Sequence, residues 1–294
     1  MKIEGMITAM VTPFRADYTI NEEMTKELIE KLIADGVDGI FILGTNGEFQ
    51  SLSDEEKVSF CRLVVDIVDK RVAVYAGAGS CGTKLSIDLA NKMNDVGVDA
   101  VSLIAPYFQK LSDKELIAHY KTIAENVDLP ILLYNIPSLT GNPISLEVVK
   151  ELSDVKNIKG IKDSSGDFDN MKAYIEVTKE KDFIVLAGSD SMILKALQAG
   201  ATGAVAATSN LLTKIDVAIY QNYLKGDIEA AQKAQLDIET LRGVNKLKIQ
   251  PAVLKRSLVL SGLNVGEVRL PLETPTKEDD KKIQEMLDYY KGKL

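Results

Sequence analysis

Short apolar runs alternate along the chain with longer stretches whose apolar residues recur every three or four positions. Residues 5–11 read as a strand, and Thr12-Pro13-Phe14 turns out of it. Asn21 caps a helix to about Ala34, with Leu28, Ile29, Leu32 and Ile33 as its apolar stripe. Residues 39–43 form a nearly continuous apolar run, the pattern of a strand buried on both faces. Ser53 and Glu56 have the spacing of a capping box, which opens a helix to about Val68. Six further strands are predicted at residues 72–76, 100–105, 130–134, 158–162, 183–187 and 203–206. Helices are predicted from Thr83 to Val96 and from Ser112 onward.

Eight strands, each followed by a helix, predict an α/β fold of the (β/α)8 TIM-barrel type. An open doubly wound sheet is the alternative, but no dinucleotide-binding fingerprint accompanies the strands. The barrel is expected to occupy residues 1–224. Residues 225–294 read as a C-terminal helical extension packed on it, with helices over 226–240, 250–261 and 276–291.

Composition narrows the functions open to this fold. The 294 residues are 46% hydrophobic, enough for a substantial core, and the net charge is −8. That acidity argues against a nucleic-acid or anionic-membrane partner. No apolar run approaches the roughly 18 residues of a membrane span. The start, Met1-Lys2-Ile3-Glu4-Gly5-Met6, lacks the pattern of a secretory leader. Two cysteines, Cys61 and Cys81, cannot build a disulfide framework and suit a cytoplasmic setting. The single histidine, His119, sits in a helical pattern and reads as structural, so no metal site is expected.

Candidate chemistry gathers at the carboxyl ends of the strands, where such barrels place their reactive groups. Period-two alternation in Ile158-Lys159-Gly160-Ile161-Lys162 puts Lys162 on the face of small Gly160, turned inward at the strand end. A partly desolvated amine there can attack a ketone. Tyr134 shares its parity with Leu132 on the adjacent strand, which brings a proton-transferring phenol near that amine. Gly44-Thr45-Asn46-Gly47-Glu48 offers amides and a hydroxyl in a tight turn suited to a carboxylate. The glycines after strands seven and eight offer a second place, for a phosphate. These residues suggest Schiff-base chemistry on a small anion without naming it.

At these same strand ends the chain resembles the dihydrodipicolinate synthase / N-acetylneuraminate lyase family of pyruvate-dependent class I aldolases. The resemblance covers essentially the whole chain and rests on three markers: Gly44-Thr45-Asn46-Gly47-Glu48, Tyr134-Asn135-Ile136-Pro137 with Thr140-Gly141, and Gly160-Ile161-Lys162-Asp163 with Ser165-Gly166-Asp167. It implies that Lys162 forms the Schiff base with pyruvate or another 2-oxo acid and that Tyr134 gives and takes protons. Thr45 and Asn46 would bind the carboxylate, with a backbone contact from Val205. No cofactor or metal is implied, and a homotetramer built as a dimer of dimers is.

Two positions depart from the family's synthases. Leu139 stands where they carry an arginine for the second substrate's carboxylate, and Phe108 where they carry a second relay tyrosine. Neither replacement can donate a hydrogen bond. Together with Ser164, Ser165 and Ser189, these departures lead to the expectation of a lyase cleaving a 2-keto-3-deoxy sugar acid, or 4-hydroxy-2-oxoglutarate, to pyruvate and an aldehyde. The alternatives are a synthase that condenses pyruvate with aspartate semialdehyde, and an N-acetylneuraminate lyase. A non-catalytic barrel is disfavoured, because a binding module needs neither Lys162 nor Tyr134.

Overall fold

A computed structural model describes residues 3–293. The leaderless start expected over residues 1–6, and residue 294 of the expected extension, fall partly outside that range. Parallel strands β1 (Gly5–Ala9), β2 (Gly39–Ile42), β3 (Ala73–Gly77), β4 (Ala100–Ile104), β5 (Ile131–Asn135), β6 (Ile158–Asp163), β7 (Ile184–Ala187) and β8 (Gly203–Ala206) pair in chain order. β8 returns to β1, with Met6 opposite Ala204, so the sheet is a closed eight-stranded barrel.

The first helices start where their capping chemistry places them. Asn21 accepts from Met24 N and opens α1 (Glu22–Ala34). Ser53 with Glu56, and Ser112 with Glu115, make reciprocal capping boxes for α2 (Asp54–Val68) and α4 (Asp113–Ala124), which flank α3 (Thr83–Val96). The β5–β6 crossover holds two short helices, α5 (Pro137–Thr140) and α6 (Leu146–Leu152). Then come α7 (Phe168–Thr178), α8 (Ile193–Ala199) and α9 (Ser209–Leu224). Among the described residues, no helix is long and apolar enough to cross a membrane.

Alternation along the strands divides the apolar side chains into two cores. One lies between strands and helices; the other, with Ile7, Phe41, Tyr75, Leu132 and Leu186, fills the barrel itself. Two strand edges differ from expectation for local reasons. β1 stops at Ala9 because, after Met10 N makes a last bond to Phe41 O of β2, the next amide, Val11 N, turns aside to Asn210 Oδ1. β5 starts after Pro130, which has no N–H to give the ladder, although its carbonyl accepts from Val101 N.

Beyond α9 lie α10 (Ile228–Asp237), α11 (Glu239–Val244), α12 (Ala252–Leu260) and α13 (Lys277–Tyr289). The single helix expected over 226–240 is broken at Ile238. Tyr290 explains the break: its hydroxyl donates to Asp237 O at 2.6 Å and accepts from Leu241 N at 3.1 Å. A contact some fifty residues away in the chain thus caps one helix and starts the next.

Candidate active site

The register between β5 and β6 sets Tyr134 directly opposite Lys162 at the carboxyl end of the barrel. Lys162 Nζ lies 4.2 Å from the Tyr134 ring centre and 4.8 Å from that of Phe41. Both Lys162 and Tyr134 are only 4% exposed. The amine is thus enclosed by aromatic faces, and no carboxylate among the described residues pairs with it. Two residues below, Gly160 is a geometric necessity: a Cβ there would stand 2.5 Å from Ile184 O. Its absence lets β6 and β7 close beneath the lysine.

Tyr134 Oη stands 3.3 Å from Thr45 Oγ1, so the phenol joins the amine to the turn after β2. That turn is held tightly. Thr12 Oγ1 donates to Gly47 O at 2.7 Å, and a Cβ on Gly47 would stand 2.9 Å from Leu43 N. Asn46 is buried there, and its Oδ1 has no hydrogen-bond partner. Thr45, Asn46, Tyr134, Lys162 and Val205 all line one open cleft of about 580 Å3. The residues singled out from the sequence therefore meet.

Other supporting groups could not be recognised from strand patterns alone. Asn135 and Asp163 have the opposite parity and pair behind the barrel wall, Asn135 Nδ2 donating to Asp163 Oδ1 at 2.8 Å. Ser165 donates to the same carboxylate from its amide and its hydroxyl. Burial raises the Asp163 pKa, and the bonds from Asn135 and Ser165 oppose that rise. Glu48, at φ 54° in the left-handed region, is tied by Lys255 from α12. The signal for Asn135 and Asp163 was adjacency, since each directly follows an inward reactive residue.

Two expectations fail on geometry. No phosphate cradle is open after β7 and β8, because Asp190 occupies it: its carboxylate accepts from Ala207 N at 3.1 Å and Thr208 N at 2.9 Å. The serines cited for a polyhydroxylated substrate are largely engaged. Ser164 Oγ donates to Gly188 O, and Ser165 Oγ donates to Asp163.

The family description "Dihydrodipicolinate synthetase family" matches residues 2–289. The chain is 38% identical to 4-hydroxy-tetrahydrodipicolinate synthase 1 of Halalkalibacterium halodurans, over 97% of the chain and 96% of that protein. A dihydrodipicolinate synthase of Bacillus anthracis superposes with TM-score 0.94 at 39% identity, covering 98% of both chains. A chloride-inhibited dihydrodipicolinate synthase of Acinetobacter baumannii, solved with pyruvate, gives TM-score 0.94 at 31% identity, again over 98% of each. These relatives overturn the expectation of an enzyme closer to the sugar-acid or 4-hydroxy-2-oxoglutarate aldolases. Leu139 and Phe108 do not decide the substrate: Leu139 is 59% exposed at the cleft mouth, and Phe108 is 94% exposed. The cleft instead draws cations from elsewhere, Arg242, Lys246 and Lys248.

Proposed function

The chain belongs to the dihydrodipicolinate synthetase family, and from that membership we propose that it condenses pyruvate with aspartate semialdehyde to 4-hydroxy-tetrahydrodipicolinate. The family's members are pyruvate-dependent Schiff-base lyases, and this chain is an enzyme of that kind. The observation that carries the reading is the enclosed Lys162–Tyr134 pair beside the Thr45–Asn46 turn.

In this reading Thr45 and Asn46 bind the pyruvate carboxylate, with a backbone contact from Val205. Thr45 and Asn46 both line the cleft that holds Lys162, and the Thr45 hydroxyl and Asn46 amide N–H supply donors for a carboxylate. The Lys162 amine attacks C2 of pyruvate, and loss of one water leaves an imine. Tyr134, having given its proton to the departing water, takes one from C3, and the resulting enamine carbon attacks the aldehyde carbon of the semialdehyde. Tyr134 delivers a proton to the aldehyde oxygen as the carbon–carbon bond forms. The amine of the semialdehyde then attacks the imine carbon, closes the ring and displaces Lys162. One water is lost overall, and the lysine is regenerated.

The same reading takes residues 1–224 as the barrel and 225–294 as an extension that completes the cleft. It places the enzyme in the cytoplasm, in keeping with free Cys61 and Cys81, and as a dimer of dimers. Sedimentation of the full chain checks the assembly.

The function is tested by incubating the protein with pyruvate and aspartate semialdehyde, with 2-keto-3-deoxygluconate as a parallel substrate. Consumption of the first pair, with a borohydride-trapped pyruvate adduct on Lys162, is the expected result. A trapped adduct without consumption of aspartate semialdehyde overturns the synthase reading.

A further inference from the structure

The cleft is a basic feature of an acidic protein. The net charge of the chain is −8, yet the cleft is lined by Lys162, Arg242, Lys246 and Lys248 against a single acid, Asp190. Two of these groups are already committed. Lys248 pairs with Glu273 at 2.9 Å, and the Asp190 carboxylate is occupied by the amides of Ala207 and Thr208. Lys246 is exposed.

Arg242 is placed differently. It lies in the last turn of α11 and lines the same cleft as Asp190. Glu239 accepts only from Nη1, leaving the rest of the fork without a hydrogen-bond partner among the described residues. Both Glu239 oxygens accept from that one nitrogen, so Nε and Nη2 are left to a ligand. A planar fork with free N–H groups beside a cleft suits a carboxylate.

Asn245 follows α11 and lines the same cleft. It is 4% exposed, and its Oδ1 is buried with no donor. A buried acceptor without a donor is costly unless a ligand supplies one. An unpaired acceptor close in sequence to an unsaturated guanidinium is the complement of an α-amino acid, which carries a donor and a carboxylate on one carbon.

We propose that Arg242 and Asn245 form the subsite for the amino-acid end of the second substrate. Arg242 takes the α-carboxylate that Leu139 cannot hold, and Asn245 Oδ1 accepts from the α-amine. This assignment rests on the synthase reading. The neutrality of the amide matters for ring closure: a carboxylate in its place would hold the amine as ammonium. An amide positions the amine and still lets it lose the proton before it attacks the imine carbon.

The test measures KM for aspartate semialdehyde and for pyruvate in Arg242→Met, Arg242→Lys and Asn245→Ala, alongside borohydride trapping of the pyruvate imine. Removing a charge-assisted contact is expected to raise KM for the semialdehyde about ten- to a hundredfold. The pyruvate imine is expected to form at a rate within about twofold of the unaltered protein, and Arg242→Lys to recover part of the loss. A general structural role would move both substrates together. For Asn245 the probe is 4-oxobutanoate, which keeps the aldehyde and carboxylate but lacks the amine. The unaltered protein is expected to favour aspartate semialdehyde over it, and Asn245→Ala to lose that preference.

Semialdehyde turnover with an unchanged KM in Arg242→Met overturns the subsite and leaves the synthase reading standing. Absence of semialdehyde turnover in the unaltered protein overturns both. If Arg242→Met traps no imine because it fails to fold, the KM ratio in Arg242→Lys decides: a ratio equal to that of the unaltered protein overturns the subsite.

Discussion

Lys255 Nζ stands 2.9 Å from Glu48 Oε1, across 207 residues of chain, with solvent reaching 1% of one side chain and none of the other. The ammonium also donates to Thr12 O at 3.0 Å and Glu267 O at 2.7 Å, so all three of its protons are used. Glu48 Oε2 accepts from Arg269 N. Burial pulls the Lys255 pKa down to about 8 against the opposing pull of Glu48. Since Thr12 also donates to Gly47 O, the pair and its neighbours fix the turn that carries Thr45 and Asn46. Lys255→Met therefore strands a buried carboxylate and is expected to destabilise the protein by about 3–5 kcal/mol in urea unfolding. The paired replacement Glu48→Met with Lys255→Met is expected to lose less than the two single losses combined, because no charge is left alone.

Tyr134 and Lys162 separate by role. Lys162→Met is expected to abolish the trapped pyruvate adduct and to lower kcat at least about a thousandfold. Tyr134→Phe keeps the ring beside the amine and removes only the hydroxyl. It is expected to lower kcat by about a hundred- to ten-thousandfold while an adduct still forms on Lys162. Mass spectrometry after borohydride reduction, set beside steady-state rates, distinguishes the two; an unimpaired kcat in Tyr134→Phe removes the phenol from proton transfer.

Gly160→Ala tests the floor of the site. The added methyl would stand 2.5 Å from Ile184 O, which belongs to a strand and cannot swing away. Overpacking of this kind is expected to destabilise by about 1–3 kcal/mol, and to slow imine formation because Lys162 lies two residues on. Unfolding curves and trapping rates check the two effects separately.

His119 gives the fold an acid limit. Burial pulls its pKa down from 6.5 to about 4, while Nδ1 meets the Thr83 hydroxyl at 2.9 Å and Nε2 has no partner. Between pH 6.5 and 4 the unfolded chain binds a proton here that the folded chain refuses, so stability is lost as pH falls through that window. The difference is about 3 kcal/mol. His119→Gln is expected to flatten that part of the stability profile, measured by urea unfolding at pH 7 and pH 4.5; an unchanged pH dependence places the acid sensitivity elsewhere.

Much of this architecture could be read from local pattern. The eight strands, the capping box at Ser53, the helix start at Ser112 and the inward parity of Tyr134 and Lys162 depend on neighbours a few residues away, and the structure has them all. What escaped depends on distant partners. The break at Ile238 is made by Tyr290, and Glu48 finds its counter-charge on α12. Ser164 and Ser165 looked like substrate groups because their true partners, Gly188 O and the Asp163 carboxylate, are set by tertiary contact and by a turn. Leu139 misled for a related reason: one missing arginine was read without sight of the cations that α11 and its following residues bring to the same cleft.

The reach from Glu48 to Lys255 also bears on the order in which the protein comes into being. The turn with Thr45 and Asn46 leaves the ribosome early, and the strands carrying Tyr134 and Lys162 follow, but the lysine that fixes the turn emerges among the last helices. A nascent chain can lay down most of the barrel before the lysine that holds this turn exists. The ion pair that steadies this turn is therefore completed only once α12 has been made.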